Sequence, residues 1–311
     1  MTNITFCVCT YNRGDNLKRL LPEMLRQSCV KPFEVLVVDN NSTDNTSDVV
    51  QNIAKNESRL RYVFEPKQGI VPARNRAIEE SLSHDYLVFI DDDELPKDGF
   101  LQAALDGLES EGADCVGGKI EVDFDGLKRP WWLNKELMGF LAEIDYSDVP
   151  FWNTDKSRPL WTANIGYKTS LFVDDPTLRF DLRFNREGDQ LGGGEDAAMF
   201  WSLVDQGKKI RYRPDMITRH FVEAKRIRIS YFLGLHFEAG RKFGYHRMGF
   251  YPRTLRGIPY FLFPQLMGHI FKIFVVLVKP DASFVRQTMN VAHCMGMMKG
   301  AYQRVNHCVH V

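Results

Sequence analysis

In its first third this chain alternates short apolar runs with stretches of helical spacing, and that rhythm repeats four times. Ile4 to Cys9, Phe33 to Val38, Arg61 to Glu65 and Tyr86 to Ile90 are apolar or β-branched enough to be strands. Between and after them, Asn16 to Gln27, Asn45 to Asn56, Pro72 to Ser83 and Asp98 to Ser110 have helical spacing, the third opened by a proline. In Asn16 to Gln27 the pattern runs through Leu17, Leu20, Leu21, Met24 and Leu25. Strand followed by helix, four times over, predicts an α/β chain: a Rossmann-like, mainly parallel sheet with helices on both faces. Ligands of such sheets sit beyond the carboxyl ends of the strands.

The polar residues gather at those ends. Thr10, Tyr11, Asn12 and Arg13 follow the first strand, Asp39 to Asp44 the second, and Asp91, Asp92, Asp93 and Glu94 the fourth. Taken alone, "DNNSTDNT" reads equally as a helix-capping turn. Taken with the other two clusters at equivalent strand ends, it reads as the wall of a nucleotide pocket. Four consecutive acids repel one another and resist burial unless something positive joins them. Oxygen ligands at a strand end suit a hard cation, Mn²⁺ or Mg²⁺, which binds through one or two carboxylates and substrate phosphates. A metal–diphosphate site is therefore expected at this edge, the alternative being a solvated acidic turn before a helix starting at Pro96.

Composition narrows the partners. The 311 residues, 44% hydrophobic and 26% charged, can bury one large domain or two interlocked ones. Forty basic and forty acidic residues cancel, so nucleic acid is not an expected partner. The distribution is uneven: Ser81 to Asp125 holds thirteen acids against two Lys, and His220 to Arg256 eight Lys or Arg against two Glu. Six cysteines show no CxxC pair or metal-ligand rhythm and read as reduced thiols. The opening "MTNITFCVCTYNR" lacks a basic flank followed by a long apolar core, so no secretory leader is expected.

A second informative stretch is "LGGGEDAAMFWSLVDQGKKI", residues 191 to 210. Its glycines permit a tight bend, after which Glu195 and Asp196 open a helix running to Gly207. Acids are favoured at a helix start in any case.

The segments "VCTYNR", "VVDNNSTDNT", "GIVPARNRAI", "FIDDDELP" and "GGGEDAAMFWSLVDQGKKIRY" stand in the order and spacing seen in family 2 glycosyltransferases of the GT-A fold. The resemblance covers about residues 3 to 220. It implies transfer of a sugar from a nucleotide-diphosphate donor, a UDP-sugar first among them, to an acceptor hydroxyl with inversion at the anomeric carbon. Donor base and ribose would lie against Thr10, Tyr11, Arg13 and Asp39, and Arg74 would reach the donor. Asp91 to Asp93 resemble the DxD motif, with Asp92 near ribose or sugar and Asp93 as metal ligand. Because the motif is written DDDE, Asp91 remains both a donor and a metal candidate. The second acid of the 195–196 pair is the implied base, Asp196, with Glu195 touching acceptor or donor sugar. Asn164 in "WTANIGYKTSLF" would touch the sugar, or else belong to a plain strand-turn. His220 would complete the metal site, or else be structural. Arg226 and Arg228 are candidates for a lid over the diphosphate. Trp131, Trp132, Trp152 and Trp161 lie where sugars could stack, though core packing accounts for buried tryptophan equally well.

This reading divides the chain into a nucleotide-sugar half, 1–115, an acceptor and base half, 116–222, and a helical extension, 223–311. In the extension "GIPYFLFPQLMGHIFKIFVVLV", 257–278, is apolar but broken by Pro259, Pro264, His269 and Lys272. It falls short of the about 20 apolar residues of a spanning helix. It suits an interface-lying segment of an enzyme with a glycan or lipid-linked acceptor, or a helix pair packed on protein, with a homo-oligomer left open. Family analogy points to cell-surface polysaccharide assembly at the cytoplasmic face of the membrane. Two other classes stay open: a metal-dependent phosphatase-like hydrolase, whose Asp-x-Asp also follows a strand, and a non-catalytic sugar-nucleotide or glycan-binding protein.

Overall fold

The apolar runs become strands, three of them buried on both faces and the third in chain order only half-buried. In the computed structural model, which describes residues 4–186, 193–276 and 282–308, these are β1 (Ile4–Thr10), β2 (Phe33–Asp39), β3 (Leu60–Phe64) and β4 (Tyr86–Asp91). All are parallel, β1 lying between β2 and β4 and β3 outside β2. The helices that join and follow them are α1 (Gly14–Arg26), α2 (Thr46–Ala54), α3 (Ile70–Ser81) and α4 (Phe100–Leu105). Alternate strand side chains enter two cores, as a period of two requires. Cys7, Leu36, Leu87 and Phe89 pack with Val71, Ala73, Ala77 and Ile78 of α3. On the opposite face Phe6, Val35, Val37 and Val88 pack with Leu17, Leu20 and Leu21 of α1, Val49 and Val50 of α2, and Phe100 and Leu101 of α4. Helices therefore cover both faces of the sheet.

The acids after β4 lead not into a helix at Pro96 but into a three-residue strand, β5 (Glu94–Pro96). Proline is tolerated at a strand end where no ladder donor is needed. The sheet continues through β6 (Cys115–Asp123), β7 (Phe151–Trp152), β8 (Asn164–Lys168) and β9 (Ile210–Phe221). Its order is β3-β2-β1-β4-β8-β6-β9-β5, with β7 also on β9. Here β8 runs antiparallel to β4 and β6, β6 and β9 are parallel, and β5 is antiparallel to β9.

The remaining helices are α5 (Lys135–Met138), α6 (Ser170–Asp174), α7 (Glu195–Asp205), α8 (Ile229–Lys242), α9 (Leu262–Val276) and α10 (Ala282–Cys308). The chain forms two compact units, Met1–Asp123 with Ala142–Phe221, and Phe124–Leu141 with Val222–Val311. The first holds the sheet; the boundary read at 115/116 falls at the start of β6. The second holds α5, α8, α9, α10 and a small hairpin, β10 (Thr254–Leu255) with β11 (Ile258–Pro259). Among the described residues no helix is long and apolar enough to cross a membrane.

Candidate active site

β4 is a central strand, and where it ends at Asp91 the chain must turn, because β5 leaves to pair with β9. Asp92 and Asp93 form that turn. Thr10, last residue of β1, donates from Oγ1 to Asp92 Oδ2 at 2.8 Å, and Asn16 Nδ2 donates to the Asp92 carbonyl at 3.1 Å. Burial first, and then the charge of Asp93, push the Asp92 carboxyl up to about 7, against the Thr10 hydrogen bond and the Arg13 charge. The β5–β9 register sets Glu94 opposite His220. His220, itself buried, thereby comes within 3.3 Å of Asp93 Oδ1 and 3.7 Å of Glu94 Oε1 through Nδ1.

The loops after β1 and β2 are laced into one rim. Asn12 and Asn41 take left-handed conformations, with φ of 52° and 61°, a region asparagine tolerates. The Asn12 side-chain carbonyl accepts from the Thr43 amide at 2.7 Å, and the Asp44 carboxylate accepts from the amides of Gly14 and Thr46 at 3.2 and 2.9 Å. Asp39 is buried and fully engaged, accepting from Ser42 N at 3.0 Å and from the Tyr62 hydroxyl at 2.7 Å. "DNNSTDNT" thus does the work of a capping turn while forming a strand-end rim. Tyr11 and Arg13 are half-buried on the adjoining loop.

Arg74 joins the two acid clusters. It lies on α3, buried, over the Phe180 ring. Its Nη1 donates to Glu195 Oε1 and Asp196 Oδ1, both at 2.8 Å, and its Nη2 to Asp91 Oδ1 at 3.3 Å. Burial works against the guanidinium charge, but Asp196, Asp91 and Glu195 outweigh it and hold the group above its ordinary range. Gly194, at φ 115°, provides the bend that sets Glu195 and Asp196 as the first two residues of α7. Thr162 Oγ1 also donates to Asp196 Oδ1. Among the described residues no hydrogen bond reaches Asp196 Oδ2, and buried Glu195 Oε2 likewise has no hydrogen-bond partner. Burial raises the Asp196 carboxyl to about 7; Arg74 opposes the shift, while Glu195 and Asp91 add to it. A carboxyl with that affinity for a proton, fixed through one oxygen, is chemically equipped to accept one near neutrality.

The remaining sequence candidates make other contacts. Asn164 is wholly buried, and its Nδ2 donates to the carbonyls of Lys119 and Met216 at 2.9 and 2.8 Å, closing the irregularity where β6 meets β9. Trp132 is buried in the second unit against Phe232, and Trp131 is exposed there. In the first unit Trp152 is exposed under Arg211, and Trp161 packs on the core. Thr162 and Phe180 escaped the sequence reading, since a lone threonine and a lone phenylalanine carry no spacing signature. Among the described residues no three His, Cys, Asp or Glu side chains form a group able to hold a metal ion unaided. The donor set at the turn, carboxylates with one imidazole, is nevertheless the chemistry of a hard divalent cation that takes its remaining ligands from elsewhere.

Known proteins are similar to this chain in sequence and in fold. Glycosyltransferase AglE of Haloferax volcanii is 32% identical over 219 residues, spanning 70% of this chain and 66% of its own. The GalNAc(5)-diNAcBac-PP-undecaprenol beta-1,3-glucosyltransferase of Campylobacter jejuni is 31% identical over 47% of this chain and 45% of its own. The match thus spans just under two thirds of the first relative's length and under half of the second's. Succinoglycan biosynthesis protein ExoM of Rhizobium meliloti is 26% identical over 78% of this chain and 74% of its own. Among solved structures, the Pyrobaculum calidifontis mannosyltransferase PcManGT, in complex with GDP-Man and Mn²⁺, superposes with a TM-score of 0.60 at 17% identity, covering 95% of this chain and 86% of that one. TarS of Staphylococcus aureus with UDP-GlcNAc gives 0.54 at 19% identity, over 79% and 68%. The GT-A fold is shared at these low identities. Residues 5–175, more than half of the sequence, match the family model for glycosyl transferase family 2, and the chain belongs to that family.

Proposed function

We propose that this chain transfers a sugar from a nucleoside-diphosphate donor to a hydroxyl of a glycan or lipid-linked acceptor, with inversion, in cell-surface polysaccharide assembly. Arg74 carries the reading: one buried cation ties the acids at the end of β4 to the acid pair opening α7. The donor rim is Thr10, Tyr11, Arg13 and Asp39, with Asp92 fixed by Thr10. Asp93, with Asp91 and His220, would hold Mn²⁺ or Mg²⁺, for which one or two carboxylates and substrate phosphates suffice. When bound, the cation supplies charge neutralisation to the diphosphate leaving group.

Asp196 acts as base. Its Oδ1 is held by Arg74 and Thr162, which leaves Oδ2 to take the acceptor proton as the hydroxyl oxygen bonds to the anomeric carbon and the bond to the diphosphate oxygen breaks. Attack opposite the leaving group inverts the centre. Glu195 shares Arg74 and adds negative charge that keeps Asp196 basic. The names of the relatives support the acceptor class: one glucosyltransferase is named for an undecaprenol-linked glycan, another protein for succinoglycan biosynthesis. The Mn²⁺ and GDP-Man of one structural neighbour support the metal and the donor class. An acceptor on a lipid would place the enzyme at the cytoplasmic face of a membrane.

Calorimetric titration with UDP, GDP, dTDP and CDP, with and without Mn²⁺, tests the reading. Binding of one nucleotide that is lost on chelation, and lost again in Asp93→Asn, is expected. Absence of binding by all four, or binding indifferent to both metal and Asp93, overturns it.

A further inference from the structure

The chain is neutral overall, yet from Ala239 to Val311 it holds ten Lys or Arg and a single acid, Asp281. The same stretch exposes its largest apolar side chains. On α9, at about 100° per residue, Met267, Phe271, Phe274 and Val275 share one face with Pro264. Met267, Phe271 and Phe274 are 62%, 69% and 65% exposed. The opposite face is used: Leu262 and Leu266 pack with Met248, Cys294, Met297 and Ala301. The apolar band continues before the helix, where the rings of Tyr251 and Phe261 meet at 5.0 Å and Phe250 is 92% exposed. Arg253 and Arg256 of the β10–β11 hairpin and Lys272 of α9 are exposed beside it.

We propose that this hairpin and the outward face of α9 dock on an anionic lipid surface. Such docking deepens the proposed function and rests on it only for its purpose, access to an acceptor carried by a lipid. A contiguous apolar face of this kind marks an interaction site, and the charge around it selects the partner. A second copy would bring ten cations and one acid against the same set, which repels. Anionic headgroups meet the basic residues while the acyl boundary takes the side chains of α9. Among the described residues no helix is long and apolar enough to cross a membrane, and Pro264, His269 and Lys272 interrupt the apolar run, which suits a segment lying in the interface. Tyr251 and Tyr260 then stand at headgroup level, where amphipathic rings are favoured.

Flotation of the full chain with vesicles of phosphatidylcholine alone, or mixed with phosphatidylglycerol, tests this, with nucleoside-diphosphate binding followed in the same samples. Binding at least about tenfold stronger to the anionic vesicles and weakened by salt is expected. Phe271→Ser with Phe274→Ser should lose that binding by about tenfold or more while nucleotide binding persists, which also reports an intact fold. Arg253→Gln with Arg256→Gln should reduce the preference for anionic vesicles. The proposal is overturned by equal or no binding to the two vesicle types, by unchanged binding of both variants, or by a dimer that the phenylalanine variant dissociates. Lipid binding without nucleotide binding would sink the enzymatic reading and leave the surface standing; the converse would do the opposite.

Discussion

The sheet unit buries Arg74 among three carboxylates, whereas the helical unit brings α8 and the turn after it against α10 through glycines. A Cβ at Gly240 would overlap the His293 carbonyl oxygen, and one at Gly244 that of Met297; at Gly296 and Gly300 it would overlap the carbonyls of Phe237 and Arg241. Small residues spaced by four let two helix backbones touch, a device common where helices pack without a charged or strongly hydrophobic seam. Electrostatics are concentrated inside the first unit, where they tune proton affinity. In the second unit the basic residues Arg253, Arg256 and Lys272 stand at the surface and the contact is steric. A buried ion cluster is a costly way to gain stability, so the one around Arg74 is better explained by chemistry than by folding.

The largest expected effect tests that explanation. Asp196→Asn keeps the shape and removes the basic oxygen, so turnover should fall by about 10²- to 10⁴-fold, with nucleotide affinity within a few-fold of the parent in calorimetry. A variant that turns over normally would return the acid pair to a capping role.

Next comes Arg74→Met, which leaves Glu195, Asp196 and Asp91 facing one another without their cation. Removing one partner of a buried charged group costs about 3–5 kcal/mol, and urea unfolding of the variant should show a loss of that size. If Arg74→Met is instead as stable as the parent, the cluster adds nothing to stability, and the contrast between the units sharpens.

For the helical unit, Gly240→Val and Gly296→Val should each destabilise by about 1–3 kcal/mol, since overpacking must push the helices apart. Gly268, on α9, has open space around its Cβ position. Gly268→Ala should therefore be neutral or stabilising by up to about 1 kcal/mol. Neutral or stabilising effects at all three positions, as helix propensity alone would give, would show that close approach did not set the glycines.

Legibility in the sequence followed periodicity. β1 to β4 and their helices were readable because strand alternation and helical spacing each extend over several residues, and strand ends then located Thr10, Asp39 and Asp91 to Asp93. β5 was not readable: three residues ending in proline carry no period, yet its pairing with β9 is what brings His220 to Asp93. Nor could spacing show that residues 124–141 join the C-terminal helices. Arg74 stands in a motif, but two of its three acidic partners lie 121 and 122 residues along the chain. Spacing could not show either that Asn164 gives its amide nitrogen to the carbonyls of Lys119 and Met216.

The finest test separates the two groups that hold Asp196 Oδ1. Since burial raises this carboxyl to about 7, the base form exists above that pH and is lost as pH falls through it. Activity should therefore have an acid limb of unit slope near neutrality. Thr162 donates to the charged form, and a donor to the charged form lowers a carboxyl's pKa. Thr162→Val removes the donor at little change in shape, so the limb should move up by about one pH unit. Turnover well above the limb should change by less than about tenfold, because Arg74 still fixes the same oxygen. Thr162→Ser should restore the parent profile. A limb that stays in place while stability drops would make Thr162 a packing residue only, and Asp196 would then owe its orientation to Arg74 alone.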